Sequence, residues 1–318
     1  MDHIPNNGFF AGKTIFISGA SRGIGLAIAK KLARDGANIV VAAKTTIANA
    51  KLPGTIYSAA KEIEAEGGNC LPVVMDVRSE ESIERAIQAA VKRFGGLDIL
   101  INNASAISLT NTEVTNAKRF DLMYQCNVRG TFLLTRVALP YLKNSSHSHI
   151  LNISPPLSML SQWFKHHCAY TISKYGMSML VLGMAEEFRC YGVAVNALWP
   201  RTAVYTAAMK MLKQSDGIEV MATCRKPEIM SDAAYVLLSQ SPIDVTGRFA
   251  LDDSVLAEAG ISDFSSYAFD PSTSTKLNET NNNSSKLDVD LFVPGHFYSG
   301  PQEFCAPRTL DLNPQSKL

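Results

Sequence analysis

Tyr170 and Lys174 are the residues of this 318-residue chain whose types and spacing most clearly suggest chemistry. Residues at positions i and i+4 of a helix share one face, so a helix here would bring the phenol close to the ammonium. A free tyrosine has a pKa of about 10 and is a poor base near neutral pH. A neighbouring ammonium favours the phenolate, which could then exchange a proton with a substrate oxygen. A packing tyrosine beside a surface lysine is the alternative interpretation.

A second segment has the composition of a phosphate-binding turn. It reads SGASRGIG from Ser18 to Gly25 and follows an apolar run that is a candidate strand. Glycines at such a junction let the backbone approach a pyrophosphate, and the following helix supplies unpaired N–H groups at its N terminus. A strand–turn–helix corner without a ligand is the alternative. The predicted cofactor-binding residues of this turn are Gly19, Ser21, Arg22, Gly23, Ile24 and Gly25.

The end of the second candidate strand indicates which dinucleotide would bind. An NAD site usually carries Asp or Glu there for the ribose 2′-hydroxyl, whereas this chain has Ala42-Ala43-Lys44. Lys44 and Arg22 could both pair with a 2′-phosphate. NADP(H) is therefore the expected cofactor and NAD(H) the less favoured one. The alternative for Lys44 is a solvated loop charge.

Two further strand ends carry candidate cofactor contacts. Asp76 closes the third candidate strand, where its carboxylate could accept a hydrogen bond from an adenine amino group. The alternative is that Asp76 caps the helix that begins near Glu80. Asn103, in Asn102-Asn103-Ala104, ends the fourth candidate strand and could tie adjacent loops together, which is partly a structural role.

Short β-branched apolar runs alternate with longer helical stretches along most of the chain. The candidate strands are 13–18, 38–43, 71–75, 98–101, 149–153, 193–198 and 248–251. The candidate helices are 24–35, 56–66, 80–94, 116–142 and 169–191. Runs that are apolar almost throughout are typical of parallel strands covered on both faces. The pattern predicts an α/β fold, a doubly wound parallel sheet of Rossmann type, in a single domain over residues 10–255.

In this order, the motifs resemble those of the short-chain dehydrogenase/reductase family over residues 10–255. The residues that carry the resemblance are Gly19, Gly23, Gly25, Asp76, Asn102, Asn103, Ala104, Asn127, Tyr170 and Lys174. It implies hydride transfer between a nicotinamide cofactor and a carbonyl or alcohol, with Tyr170 as proton donor or acceptor and Lys174 as its activator. It also implies that Asn127 holds a proton-relay water. Family members commonly pair through the helices that hold Asn127 and Tyr170, so a homo-oligomer is expected.

The chain departs from the family pattern at two places. The family carries a serine ahead of its tyrosine to hold the substrate oxygen, but Leu157 stands at that spacing. Ser154 is the favoured substitute and Ser158 the second choice, and the absence of any such serine is the third possibility. Where the family usually has Pro-Gly, the chain has Pro200-Arg201, so Arg201 is expected to alter the nicotinamide side of the pocket. Thr202 could still bond the carboxamide.

The segment from Thr202 to Gln214 is a candidate lid. It contains Met209, Met211 and Leu212, and apolar lids exclude water from hydride chemistry. Methionine suits an irregular apolar ligand. Together with the peroxisomal signal described below, an apolar lid favours a small-molecule, lipid-derived substrate. A core-facing helix is an equal alternative.

Composition excludes several classes of protein. The formal net charge is +1, which argues against a general nucleic-acid binder. No apolar run reaches the roughly 20 residues that span a bilayer, and the N terminus lacks the pattern of a secretory signal. The six cysteines are scattered singly, and the histidines at 147, 149, 166 and 167 have no metal-ligand spacing, so no metal is expected.

The periodic pattern fades after Gly260, and residues 260–318 are predicted to be a polar, flexible tail. The chain's last residues, Ser316, Lys317 and Leu318, form a tripeptide that peroxisomal import receptors read. The expected location is therefore the peroxisome, with cytoplasm or mitochondrion as alternatives. A second functional hypothesis is a catalytically weak nucleotide-binding scaffold or redox sensor.

Overall fold

The computed structural model of the chain describes residues 4–49, 52–212 and 224–268. Within these ranges, seven parallel strands form one sheet in the order β3-β2-β1-β4-β5-β6-β7. The strands are β1 (Thr14–Ser18), β2 (Asn38–Ala43), β3 (Asn69–Val74), β4 (Ile99–Asn102), β5 (Ser148–Ile153), β6 (Val193–Trp199) and β7 (Phe249–Leu251). Each strand overlaps a run predicted from the sequence, and the doubly wound parallel sheet is confirmed.

The helices are α1 (Gly23–Ala33), α2 (Ile56–Ala65), α3 (Glu80–Phe94), α4 (Ala117–Met123), α5 (Gly130–Leu142), α6 (Cys168–Phe188), α7 (Ala207–Leu212), α8 (Glu228–Leu238) and α9 (Asp252–Glu258). The single helix predicted over 116–142 is instead α4 and α5, joined by a π-helical segment at Tyr124–Arg129. The sequence pattern does not predict α8 or α9. None of the helices in the described ranges has the length and apolarity needed to cross a membrane.

Apolar cores lie on both faces of the sheet. In β1, Ile15 and Ile17 join the core that includes residues of α1, α2 and α8, whereas Phe16 joins the core that includes residues of α3 and α5. Both faces are therefore removed from water, which explains why the strands are apolar throughout.

The strand order reverses between β1 and β4, which lie side by side at the middle of the sheet. At such a point the chain leaves the two strands toward opposite faces and opens a crevice at their carboxyl ends. All candidate functional segments follow the carboxyl ends of strands, so the topology brings them to this edge.

Packing continues beyond the predicted domain limits of 10–255. Phe264, Tyr267 and Ala268 are buried in or against the core at the start of the predicted polar tail. The remainder of that tail, 269–318, lies outside the described residues, and so do Ser316, Lys317 and Leu318.

A buried ion pair joins both ends of the described chain to α1 and α8. Lys31 Nζ lies 2.8 Å from Asp232 Oδ1, and both side chains are 2% exposed. Lys31 also donates to the Ile4 carbonyl, and Tyr267 Oη donates to Asp232 Oδ2 at 2.6 Å. Every one of these charged atoms therefore has an opposite charge or a hydrogen bond in place of water.

Candidate active site

The glycine-rich turn lies closely against the end of β4. Gly19 has φ +71°, and a Cβ on it would be 2.8 Å from the Cα of Ala104. A Cβ on Gly25 would be 2.5 Å from Nδ2 of Asn103. Side chains at either position would therefore push the two loops apart. Glycine is required here for conformation and for close approach.

The N terminus of α1 is open to a ligand. Arg22 is the N-cap residue, and its side chain makes no capping hydrogen bond to the first turn. The unpaired N–H groups and the helix dipole of that turn can bind a pyrophosphate. Ser21 is buried beside it, and Ile24 packs against the core, so both hold the turn rather than project from it.

Asn103 ties the glycine-rich turn to β4. Its Nδ2 donates to the carbonyls of Ser18 and Gly19, at 3.0 and 3.1 Å. Both amide hydrogens are thereby used within the protein. Asn103 thus shapes the crevice, which agrees with the loop-tying role expected from the sequence.

The two cations expected to pair with a 2′-phosphate have protein partners. Arg22 donates from Nε to the Pro53 carbonyl at 3.0 Å and from Nη2 to the Gly54 carbonyl at 2.8 Å. Lys44 is more than half exposed, and its Nζ lies 3.6 Å from Asp76 Oδ2. The partners of Arg22 are neutral carbonyls, and Lys44 faces solvent. Both side chains could therefore still form an ion pair with a phosphate.

Asp76 is held by Arg78, which the sequence interpretation missed. The guanidinium donates to both carboxylate oxygens, with Nη2 at 2.6 Å from Oδ2 and Nε at 3.0 Å from Oδ1. These hydrogen bonds lower the pKa of Asp76 to about 2. Ser79, not Asp76, caps α3, so the capping alternative for Asp76 is wrong. Arg78 stands only two positions after Asp76, and that spacing was the available signal.

Tyr170 and Lys174 both lie on the buried face of α6, as their spacing predicts. The ammonium of Lys174 donates to the Ile153 carbonyl at 2.9 Å, and it lies 5.2 Å from the centroid of the Trp199 ring. This places the charge at the carboxyl ends of β5 and β6. A buried ammonium there favours a negative charge on a nearby phenol.

Asn127 lies in the π-helical segment and is completely buried. Its Nδ2 donates to the Ala106 carbonyl and to Ser173 Oγ, both at 2.9 Å, and its Oδ1 accepts from Ala106 N at 2.8 Å. Ser173 Oγ in turn donates to the Tyr170 carbonyl at 2.8 Å. Asn127 is therefore linked to the backbone of Tyr170. Since both amide hydrogens are used, this side chain could bind a relay water only as an acceptor.

Of the two candidate serines, Ser154 has the more suitable environment. It follows Ile153 directly and is completely buried, and its hydroxyl has no hydrogen-bond partner among the described residues. Ser158 is partly exposed, and its hydroxyl accepts from Leu160 N at 3.4 Å. A buried hydroxyl without a partner is unfavourable unless a ligand satisfies it, so Ser154 fits a substrate oxygen.

A second unpartnered hydroxyl follows β6. Thr202 is buried, and no residue in the described part of the chain bonds its Oγ1. The side chain of Arg201, expected to alter the nicotinamide side of the pocket, instead donates to Asp253 and Ser254 of α9. Any effect of Arg201 on that pocket must therefore be indirect.

The candidate lid begins beside the glycine-rich turn. The Thr206 methyl lies 3.4 Å from where a Cβ on Gly23 would stand, and Thr206 Oγ1 accepts from Met209 N at the start of α7. Met209 is half-buried. The side chains of Met211 and Leu212, and the end of the segment at Gln214, lie outside the described residues.

The histidines flagged in the sequence have other roles where their contacts are described. The ring Nε2 atoms of His147 and His149 lie 2.7 and 3.1 Å from the carbonyls of Leu238 and Gln240. Burial lowers the pKa of His149 to about 3. The described ranges hold no cluster of three or more potential metal ligands.

The fold, the glycine-rich turn and the Tyr170–Lys174 face together are those of a short-chain oxidoreductase. The profile of the short chain dehydrogenase family matches residues 13–217, and the chain belongs to the short-chain dehydrogenase/reductase family. Among individual proteins, it is 60% identical over 268 residues to hydroxysteroid dehydrogenase-like protein 2 of Bos taurus. The match covers 84% of this chain and 63% of the bovine protein, so the chain spans less than two thirds of that relative's length.

Solved structures show the same architecture. A short chain dehydrogenase from Mycobacterium thermoresistibile is 46% identical and covers 92% of this chain and 100% of its own, with a TM-score of 0.81. Two more distant folds match as well. One is a metagenomic short-chain oxidoreductase in complex with NADP, 24% identical, covering 76% of this chain and 97% of its own, with a TM-score of 0.62. The other is a Mycobacterium paratuberculosis short chain dehydrogenase bound to NAD, 22% identical, covering 78% and 99%, with a TM-score of 0.64.

Proposed function

We propose that the chain is an NADP(H)-dependent oxidoreductase that interconverts a carbonyl and an alcohol, with Tyr170 as the acid/base. The observation that carries the proposal is the buried ammonium of Lys174, fixed to the Ile153 carbonyl, next to the hydroxyl of Ser154, which has no hydrogen-bond partner among the described residues. An ammonium and a free hydroxyl donor at one strand end suit a substrate oxygen whose negative charge grows during reaction. The bound nicotinamide would supply or accept the hydride.

Each residue then has a separate task. Ser154 orients the substrate oxygen, and Tyr170 exchanges a proton with it. Lys174 favours the phenolate form of Tyr170, and Asn127 supports the tyrosine through Ser173. The unpartnered Thr202 hydroxyl suits the nicotinamide carboxamide, while the open N terminus of α1 suits the pyrophosphate.

Tyr170→Phe tests the catalytic assignment. With a panel of aldehydes and ketones of increasing chain length, the variant should lose about 10²–10⁴-fold in kcat, since general acid–base catalysis contributes that much. Its affinity for NADPH, followed by nucleotide fluorescence, should stay within about twofold of the wild type, because removing one hydroxyl leaves the other cofactor contacts in place. Wild type and variant that bind NADPH equally but turn over nothing across the panel would favour a nucleotide-binding scaffold or redox sensor.

The cofactor preference rests on Lys44 and Arg22. Lys44→Ala should weaken NADPH binding about tenfold, the effect of losing one charged contact, and leave NADH binding unchanged. Titration of both nucleotides against wild type and variant measures this directly. A wild-type preference for NADH would overturn the assignment.

We also propose that the substrate is lipid-derived and that the Ser316-Lys317-Leu318 tripeptide directs the protein to peroxisomes. Activity that rises with acyl chain length would support the first proposal, and equal activity on short polar carbonyls would oppose it. Deleting Leu318 from a fluorescently tagged chain should leave it in the cytosol. Unchanged import into organelles would show that the tripeptide is not the targeting signal.

Exposed apolar side chains on α4, α5, α6 and the π-helical segment support a homo-oligomer. They include Phe120, Tyr124, Phe132, Met179 and Leu182. Exposed apolar side chains that gather into a patch mark an interaction surface. Light scattering coupled to size-exclusion chromatography should give at least a dimer, and Met179→Glu combined with Leu182→Glu should shift it toward monomer.

A further inference from the structure

Two arginines and two aspartates meet at the carboxyl end of β6. Arg201 Nε lies 2.5 Å from Asp253 Oδ2, and Arg225 Nη1 lies 3.6 Å from the same oxygen. The backbone N–H of Arg201 donates to Asp252 Oδ1 at 2.9 Å. All four residues are less than 5% exposed. Such a cluster is costly to bury, so each charge depends on its partners to stay in place.

The same residues join two segments that are far apart in the sequence. Arg225 N donates to the Ala203 carbonyl at 2.9 Å, and Tyr205 N donates to the Arg225 carbonyl at 2.8 Å. Arg225 also lies over the Phe264 ring, 5.4 Å from its centroid. The segment that follows β6 is therefore held on one side by Arg201 and on the other by its pairing with Arg225.

Thr202 lies between these two anchors. Its neighbour Arg201 is bound through both backbone and guanidinium to α9, and Ala203 is bound to Arg225. The Thr202 hydroxyl is nevertheless buried with no hydrogen-bond partner in the described ranges. A rigidly held donor without a partner is what a preorganised binding group requires.

We propose that Arg201, acting through Asp253 and Arg225, is a positioning residue that aims the Thr202 hydroxyl at the nicotinamide carboxamide. This inference rests on the dinucleotide binding of the proposed function and adds the device that orients one end of the dinucleotide. The planar guanidinium is suited to the task because it donates to Asp253 and Ser254 at once, which a lysine ammonium does with less directional control.

Calorimetric titration with two probes separates positioning from general stabilisation. NADP⁺ carries the nicotinamide, whereas adenosine 2′,5′-bisphosphate carries only the adenosine half. Arg201→Met should weaken NADP⁺ about tenfold, roughly the loss of one hydrogen bond, and leave the bisphosphate unchanged. Thr202→Val should likewise weaken NADP⁺ binding about tenfold and leave bisphosphate binding unchanged. The double variant should be no weaker than either single one, because both remove the same contact.

Two further variants keep the test decisive. Arg201→Lys retains the charge and should bind NADP⁺ more tightly than Arg201→Met, though less tightly than wild type. It replaces Arg201→Met in the titrations if that variant does not fold. Lys31→Met, which breaks a buried ion pair remote from Thr202 in the sequence, should destabilise the protein without changing either affinity. Equal weakening of both probes by Arg201→Met, or additive losses in the double variant, would overturn the positioning role.

The same titrations show which proposal has failed. A wild-type chain that binds both probes, combined with an Arg201→Met variant of unchanged NADP⁺ affinity, would reject the positioning role alone. A wild type that binds neither NADP⁺ nor NAD⁺ would reject the proposed function and the positioning role together. If NAD⁺ is preferred, NAD⁺ and ADP-ribose replace the two probes.

Discussion

Two buried ion pairs of the same kind occupy different regions of the molecule. Lys31–Asp232 joins α1 to α8 at 2.8 Å, and Arg201–Asp253 joins the end of β6 to α9 at 2.5 Å. The first is satisfied by its surroundings, since the Ile4 carbonyl and Tyr267 complete its hydrogen bonding. The second shares one carboxylate between two arginines and has a second carboxylate, Asp252, beside it.

The comparison shows that the distance between two charges and their burial do not by themselves reveal the role of an ion pair. The groups around Lys31 and Asp232 are Ile4, ahead of β1, and Tyr267, after α9, so that pair holds segments outside the sheet against α1 and α8. The neighbour of Arg201 is Thr202, whose hydroxyl has no hydrogen-bond partner in the described part of the chain, and our proposal assigns that pair to the cofactor site. Removing a charge should therefore have a different consequence in each region.

Lys31→Met should have the largest effect on stability. It leaves the Asp232 carboxylate buried with Tyr267 as its remaining hydrogen-bond donor among the described side chains, so the free energy of unfolding should fall by about 3–5 kcal/mol. Urea denaturation measures the loss. Lys30→Met is the matched control, because the neighbouring Lys30 pairs with Glu62 and Glu66 at the surface and should cost at most about 1 kcal/mol. Equal losses in the two variants would remove the contrast between buried and exposed pairs.

Arg201→Met should destabilise the protein less, by about 1–3 kcal/mol, because Arg225 still faces Asp253 when Arg201 is gone. The same urea series measures it alongside Lys31→Met. A loss larger than that of Lys31→Met would mean that Arg201 is primarily a structural residue and that the contrast between the two regions is wrong.

Ser254→Ala sharpens the comparison with a smaller change. It removes the acceptor for Arg201 Nη2, which lies at 2.8 Å, and leaves the ion pair with Asp253 intact. Because Ser254 is half-buried and water can replace part of the bond, the expected loss is about 0.5–1.5 kcal/mol. Thermal denaturation followed by circular dichroism would detect it, and no loss at all would show that Asp253 alone holds the guanidinium.

Asp252→Asn should change how stability depends on pH. Burial, together with the charge of Asp253, raises the pKa of Asp252 to about 7, against an ordinary value of 3.8. Between these values the folded state binds the proton more tightly, so the contribution of Asp252 to stability is lost as pH rises from about 4 through about 7. Wild type should lose stability relative to Asp252→Asn over this window. Urea midpoints at both ends of it test the sign, and a relative gain by wild type would contradict it.

The strands and the local motifs could be predicted from the sequence because their signals are local. Apolar runs such as Ile15–Ile17 identify covered parallel strands, and the spacing of Tyr170 and Lys174 puts them on one helix face. The glycines of the turn are needed at a close approach to Asn103 and Ala104 that the motif already implies. Helix α9 begins after Leu251 with no side-chain cap, so a capping residue did not mark its start.

Contacts between distant parts of the chain could not be predicted. Nothing in the sequence pairs Lys31 with Asp232, or Arg201 with Asp253, because each partner lies on a different element and their meeting depends on the whole fold. For the same reason, the hydrogen bonds from Arg22 to the carbonyls of Pro53 and Gly54 could not be predicted. Which polar groups remain unsatisfied, such as the hydroxyls of Ser154 and Thr202, becomes visible only after packing.

The π-helical segment Tyr124–Arg129 has a consequence for how this region tolerates length changes. A π turn accommodates an extra residue within a helix, and each residue of a regular helix turns the chain by about 100°. Loss of one residue there would let the segment relax to a regular helix, and the residues of the π turn would move to new positions on its surface. Asn127 would then lose its hydrogen bonds to Ala106 and Ser173, even though the sequence still contained all three residues. The geometry of the candidate site is thus sensitive to the number of residues in this segment as well as to their identities.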